Sequence, residues 1–229
     1  ELQATGCNAV FQLVDLTNEE SIQSARDYVA QEFGSLDVLV NNAAVCFNDP
    51  TLYGKVDFTP FERQAGISVG TNFFGTLKLT QAMMPLLKES PSPRIVNIAS
   101  AAGRLSILKT PEKRSFFTDE GLCVADLGSA MAQFVSDVEN RIHAQNGWPN
   151  TCYGMSKLGI IALTRLLSRD EPQIMVNSVD PGYCATDQNS NQGYISATQG
   201  AQTPVALALL PESKFVSGGH FFEGRAIEW

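Results

Sequence analysis

The sequence predicts an α/β protein built on a parallel sheet. Short apolar runs alternate with helix-period segments from Val10 onward, and helix start and stop signals fall between them. Size agrees, since 229 residues with 44% hydrophobic types can enclose a sizeable core.

Residues 10–14 are expected as a strand ending at Asp15. Thr17-Asn18-Glu19-Glu20 then has the spacing of a capping box, with Thr17 at the N-cap and Glu20 reaching back. Ile22, Ala25, Val29 and Phe33 share one face of the helix that follows, and Gly34 stands where a helix end favours glycine. Residues 36–40 form the next strand. Thr59-Pro60-Phe61-Glu62 opens a long helix to about Lys88, in which Gly66, Gly70 and Gly75 loosen the packing or admit a neighbour.

Arg94 to Ile98 reads as a buried strand, and Ser100-Ala101-Ala102-Gly103 as a turn of small residues. Across 104–150 the pattern is less regular and resembles an insertion. Leu127, Met131, Phe134, Val135, Val138 and Ile142 mark one amphipathic helix there, before a Gly147-Trp148-Pro149 turn. A helix from Tyr153 to about Ser168, a strand from Met175 to Val179 and a break at Pro181-Gly182 come next. The polar stretch 183–196 has the composition of a loop covering a site. Residues 197–210 form a last helix and 218–222 a last strand.

Charge and cysteine content exclude several classes. Sixteen Lys and Arg against 24 Asp and Glu give a net charge of −8 without a basic tract, which argues against a nucleic-acid partner. No apolar run reaches the roughly 18–20 residues of a membrane span. The five cysteines, Cys7, Cys46, Cys123, Cys152 and Cys184, are scattered and odd in number, and read as reduced thiols of a cytoplasmic protein. With two histidines and no CxxC pair, no metal site is expected.

Tyr153-Gly154-Met155-Ser156-Lys157 places a phenol and an ammonium four residues apart on one helix face. A positive charge beside a phenol is expected to lower its pKa by stabilising the phenolate, which suits proton transfer to an alkoxide. Taken alone, the pair is a weak signal, since Tyr and Lys fall four apart in many surface helices with a snorkelling lysine. Asn41-Asn42-Ala43-Ala44, Ser100 and Pro181-Gly182, however, each follow a predicted strand, so three strand ends converge where open α/β sheets bind ligands.

Asn41-Asn42-Ala43-Ala44, Asn72 in Thr-Asn-Phe-Phe-Gly, Ser100, Tyr153-x-x-x-Lys157 and Pro181-Gly182 with Thr186-Asp187 resemble the short-chain dehydrogenases/reductases in type, order and spacing. The long segment between Ser100 and Tyr153, Asn146-Gly147-Trp148-Pro149, the stretch from Gln199 to Val205 and the final Glu228-Trp229 resemble the monomeric carbonyl reductases of that family. The resemblance implies a doubly wound, Rossmann-like parallel sheet in one domain over residues 1–229. It implies NADPH-dependent reduction of ketones, aldehydes or quinones by a monomer acting on a small-molecule carbonyl substrate.

By the same resemblance, Tyr153 is the proton donor, Lys157 tunes it and holds the nicotinamide ribose, Ser100 polarises the substrate oxygen, and Asn72 supports a water-linked proton path to Lys157. Asn42 and Ala43 fall near the adenine ribose and Asp15 beside the adenine. Pro181, Gly182 and Thr186 fall against the nicotinamide. Substrate is expected to meet Ser100, Ala102, Tyr153 and Tyr183, where many relatives carry tryptophan, with parts of the insertion completing the pocket.

The family's glycine-rich phosphate turn is absent, since no two of the 18 glycines lie two residues apart. The sequence is therefore expected to lack the first βα units, with residues 1–6 as a helix tail, and to bind NADPH poorly as it stands. Two other readings remain open: a non-catalytic fragment acting through protein association, and a dehydrogenase of a specific sterol or alkaloid.

Overall fold

The structure is a computed structural model that describes residues 6, 8–47, 59–209, 211 and 216–229. Its strands are β1 (Val38–Asn41), β2 (Arg94–Ile98), β3 (Met175–Val179), β4 (Cys184–Ala185), β5 (Ile195–Ser196), β6 (His220–Phe222) and β7 (Arg225–Ile227). The central sheet runs β1-β2-β3-β6-β7, parallel throughout except for the β6–β7 pair. That hairpin went unnoticed in the sequence. Its turn is Glu223-Gly224, with φ of 46° and 74°, the left-handed pair that a tight two-residue hairpin requires.

Helices are α1 (Glu19–Phe33), α2 (Phe61–Val69), α3 (Thr76–Lys88), α4 (Pro111–Thr118), α5 (Val124–Glu139), α6 (Cys152–Asp170) and α7 (Ala197–Leu209). They cover both faces of the sheet, because alternate strand residues point opposite ways. Ile95 and Val176 join the core containing α2, α3, α5 and α6, whereas Val96 and Val179 pack with Leu207 of α7 and with Phe221. Buried polar groups fix the register. Asn41 Nδ2 donates to Asn97 Oδ1 at 2.8 Å, and Asn97 Nδ2 donates to Thr164 Oγ1 at 2.9 Å, tying β1 to β2 and β2 to α6. The carboxyl ends of β1, β2 and β3 are thereby level.

Several expectations need correction. Residues 10–14 form no strand: among the described residues nothing pairs with them, and Val10, Phe11 and Leu13 are 64%, 87% and 70% exposed. A short apolar run alone cannot make a strand when its backbone groups have no ladder to join. The N-cap of α1 is Asn18, whose Oδ1 accepts from Ser21 N at 3.0 Å, while Thr17 is occupied with Asp15. The long helix to Lys88 exists, but Gly70–Gly75 is a π-helical stretch between α2 and α3. Gly75 admits a neighbour there, since a Cβ would lie 2.7 Å from Leu16 Cβ and Leu16 O.

The segment 104–150 holds α4, which was not expected, as well as α5, which stops before Ile142. Leu127, Met131, Phe134 and Val138 are fully buried, and α5 packs on α2 and α6. Its anchor is Asp137, which accepts from Gln133, Asn146 and Trp148 Nε1. The stretch 183–196 is more ordered than its composition suggests, because β4 and β5 pair within it. Of the helix tail expected over 1–6, all but Gly6 lies outside the described residues, as does Cys7.

Candidate active site

Close backbone approach brings the site together. A Cβ on Gly103 would lie 2.6 Å from Leu158 N and from the carbonyl carbon of Lys157, and one on Gly154 would lie 2.7 Å from Ala102 O. Glycine at both positions lets the turn after β2 rest directly on the first turns of α6. Trp229 Nε1 pins the same turn by donating to Gly103 O at 2.9 Å. Thr151 starts α6, its Oγ1 accepting from Gly154 N at 3.0 Å, so Tyr153 sits in the first turn of α6.

The Ser100 and Tyr153 side chains consequently meet at one cavity, which Gln188 also lines. Lys157, one helical turn on, is only 4% exposed. Its Nζ donates to Ile98 O at 2.7 Å and lies 5.6 Å from the centre of the Tyr153 ring. The last carbonyl of β2 therefore takes one of the ammonium's three N–H donors.

These groups face a cavity of about 560 Å³ at the carboxyl ends of β1, β2 and β3. Of the residues expected from sequence, Asn42, Ser100, Ala102, Tyr153, Lys157, Pro181, Gly182, Tyr183 and Thr186 line it. Ala43 and Asp15 do not. The Asp15 carboxylate is held by the backbone and hydroxyl of Thr17 at 2.8 and 2.7 Å, which lowers its pKa and turns it into a local bend. No residue of 104–150 is in the lining either; that segment is spent on covering α2 and α6.

Asn72 is placed behind the cavity. Its Oδ1 accepts from Val45 N at 2.8 Å, and its Nδ2 donates to Val45 O at 2.9 Å and to Ser156 Oγ at 3.0 Å. The carboxamide thus clamps the chain leaving β1 to α6 and touches no atom of Lys157 among these contacts. A π-helical stretch widens the helix at this point and turns Asn72 inward, a placement common near functional sites.

Cys46, Asp180, Gln188 and Asn189 also line the cavity and were missed in the sequence. Only their neighbourhood was legible: Asp180 precedes Pro181-Gly182, and Gln188 lies within the 183–196 stretch.

Electrostatically, burial outweighs pairing. Burial pushes the Tyr153 phenol up to about 12, with Cys46 and Asp180 adding to the rise and hydrogen bonds from Gln188 and Ser100 opposing it. Burial brings Lys157 down to about 8. The expectation that Lys157 draws the phenol below its ordinary value is thus corrected: the ammonium hangs on Ile98 O, and the loss of water around the phenol dominates.

A family model described as short chain dehydrogenase matches residues 1–111. Carbonyl reductase [NADPH] 1 of Rattus norvegicus is 36% identical across all of this chain and 82% of its own length, and Carbonyl reductase [NADPH] 3 of the same species is 37% identical with the same coverage. Among solved structures, salutaridine reductase from Papaver somniferum superposes with a TM-score of 0.85 at 28% identity, covering 96% of this chain and 84% of that one. The NADPH-bound carbonyl reductase from chicken fatty liver, at 23% identity and a TM-score of 0.64, shares the fold over 100% of this chain and 80% of that one. The strand order, the cavity at the strand ends and these likenesses agree, and the chain belongs to the short-chain dehydrogenase/reductase family, among its carbonyl reductase-like members.

Proposed function

We propose that the chain reduces a ketone, aldehyde or quinone to the alcohol with NADPH, Tyr153 supplying the proton. The observation that carries this is the meeting of Ser100, Tyr153 and a buried Lys157 in one cavity at the strand ends. The relatives named as NADPH carbonyl reductases support the cofactor.

The residues present fit the nicotinamide–ribose end of such a cofactor, because a buried ammonium with N–H donors to spare lines the cavity next to the Pro181-Gly182 backbone. NADPH supplies a hydride when bound. Ser100 Oγ donates to the substrate oxygen, a neutral donor placed where negative charge develops. Tyr153 Oη then gives its proton to that oxygen, converting carbonyl to alcohol. A phenol held at about 12 stays protonated at neutral pH, as a proton donor must. Lys157, still largely charged at pH 7 with a pKa of about 8, hydrogen-bonds the ribose hydroxyls. Asn72 acts by holding Val45 and Ser156, which keeps the chain after β1 and the start of α6 in register.

We further infer a cytoplasmic monomer. The apolar stripe of α5 is buried within this chain, and no described helix is long and apolar enough to cross a membrane.

The test is isotopic. Incubating the protein with NADPH carrying deuterium at the transferable position, against a panel of a quinone, an aromatic aldehyde, an alkaloid ketone and a sterol ketone, should place deuterium on the carbinol carbon of at least one product. Turnover of only the alkaloid or sterol ketone would favour a specific dehydrogenase, and no turnover of any at NADPH concentrations where binding is demonstrated would overturn the reading.

A further inference from the structure

The bend after β3 carries a charge that the reaction described above does not use. Asp180 N donates to Phe221 O at 2.8 Å, which holds the residue at the strand end, and Gly182 N donates to Asp180 Oδ1 at 2.9 Å, which fixes the carboxylate. Asp180 is 6% exposed and lines the cavity. Its Oδ2 accepts from none of the described groups and is not sealed off from solvent, so it opens on the cavity. A buried carboxylate calls for a cation or for several donors. Among the described residues it makes no ion pair, and burial holds the nearby His220 neutral with a pKa of about 4. The Lys157 ammonium, the cationic group of the lining, donates instead to Ile98 O at 2.7 Å.

Aromatic surface stands beside this charge. Tyr183 lines the same cavity, and its ring pairs with that of Tyr194 at 5.7 Å between centroids, inclined by 53°. Ile195 N donates to Tyr183 O at 3.3 Å, and a Cβ on Gly182 would lie 2.7 Å from Ile195 Cδ1, so β5 holds Tyr183 and the Asp180 bend together. Aromatic faces attract cations, and substituted ammonium groups are the ligands that such surfaces recognise.

We propose that Asp180 and Tyr183 form a subsite for an ammonium group, so that the substrate of this cavity is an amine-bearing ketone or aldehyde. This rests on the carbonyl reductase reading and names its substrate class. With Lys157 committed to Ile98 O and the cofactor ribose, the Asp180 carboxylate is left to balance a positive charge on the substrate. A neutral carbonyl leaves that charge without a partner, and an anionic one is repelled by it. The bend itself does not require aspartate, since asparagine closes the same turn without a charge.

The probes are two ketones of one shape, 4-acetylbenzyl(trimethyl)ammonium and 4-neopentylacetophenone, in which a quaternary carbon replaces the nitrogen. Calorimetry without cofactor gives their dissociation constants for the parent, Asp180→Asn and Tyr183→Leu. Water holds the cation more strongly, so a cavity without the subsite prefers the neutral probe. The parent should instead bind the cation at least about tenfold more tightly. Asp180→Asn should cut that preference by about tenfold, and Tyr183→Leu by about threefold, with the neutral ketone reporting in each case that the cavity is still formed. Equal or tighter binding of the neutral ketone by the parent overturns the proposal, as does a preference that both variants keep. Deuterium transfer from labelled NADPH is read separately. Cation-selective binding lost in Asp180→Asn, with no transfer to any ketone, would refute the reductase reading and leave the ammonium subsite standing. Transfer to both probes with equal kcat/KM would refute the subsite and leave the reductase.

Discussion

A Cβ on Gly103 would fall 2.6 Å from the carbonyl carbon of Lys157. That contact fixes how near the Ser100 turn stands to α6, and the meeting of Ser100 and Tyr153 in one cavity depends on it. Gly103→Ala must push the two backbones apart. It should destabilise the fold by about 1–3 kcal/mol and lower kcat more than it raises KM, measured by urea unfolding and steady-state kinetics. Unchanged kcat would separate this packing from catalysis.

Lys157 gives a pH signature. Its pKa of about 8 in the folded chain lies below the unfolded value of 10.5, so the penalty for burying the ammonium is present in full below pH 8. As pH rises from 8 to 10.5 the unfolded state holds more protons, and stability rises. Relative to Lys157→Met, the parent should gain up to about 3 kcal/mol across this window. Parallel stability curves for the two proteins would contradict the burial account.

His220 works in acid. It is buried, its Nδ1 lies 3.0 Å from Ser178 Oγ, and burial lowers its pKa to about 4, with Arg104 adding to the lowering and Asp180 opposing it. The neutral ring is fully tolerated above the unfolded value of 6.5 and is penalised as pH falls from 6.5 to 4. Over that interval the parent should lose up to about 3 kcal/mol more than His220→Gln, read by denaturant midpoints at several pH values. Equal losses would assign acid sensitivity to other groups.

Asp137 holds the segment 104–150 in place through three side-chain donors, one of them Trp148 Nε1 at 2.8 Å. Although burial raises its pKa, those bonds and Lys113 lower it overall. Asp137→Ala leaves buried donors unpaired and should destabilise by about 2–4 kcal/mol. Because this segment does not line the cavity, KM at a permissive temperature should stay within about twofold of the parent.

The sequence made the central features legible for identifiable reasons. β2, β3 and α6 are dense apolar runs with clear punctuation, and Ser100, Tyr153 and Lys157 combine distinctive chemistry with fixed spacing. Residues 10–14 misled because a short apolar run says nothing about a partner strand. Gln188 and Cys46 could not be singled out, since they reach the cavity through the path of loops and not through any local pattern. Asn72 was expected at the site but stands behind the cavity, because the π-helical stretch that turns it toward Val45 leaves no mark in residue types. The direction of the Tyr153 pKa depended on burial, which a single turn of helix spacing does not reveal.

The central claim is that the Tyr153 hydroxyl delivers the proton. Tyr153→Phe removes one oxygen from a cavity wall and nothing from the core, so thermal unfolding should match the parent. The most direct measurement is kcat for NADPH-dependent carbonyl reduction by Tyr153→Phe under those matched conditions. The account expects a loss of at least about 100-fold; a variant that keeps more than a few per cent of the parent rate would contradict it.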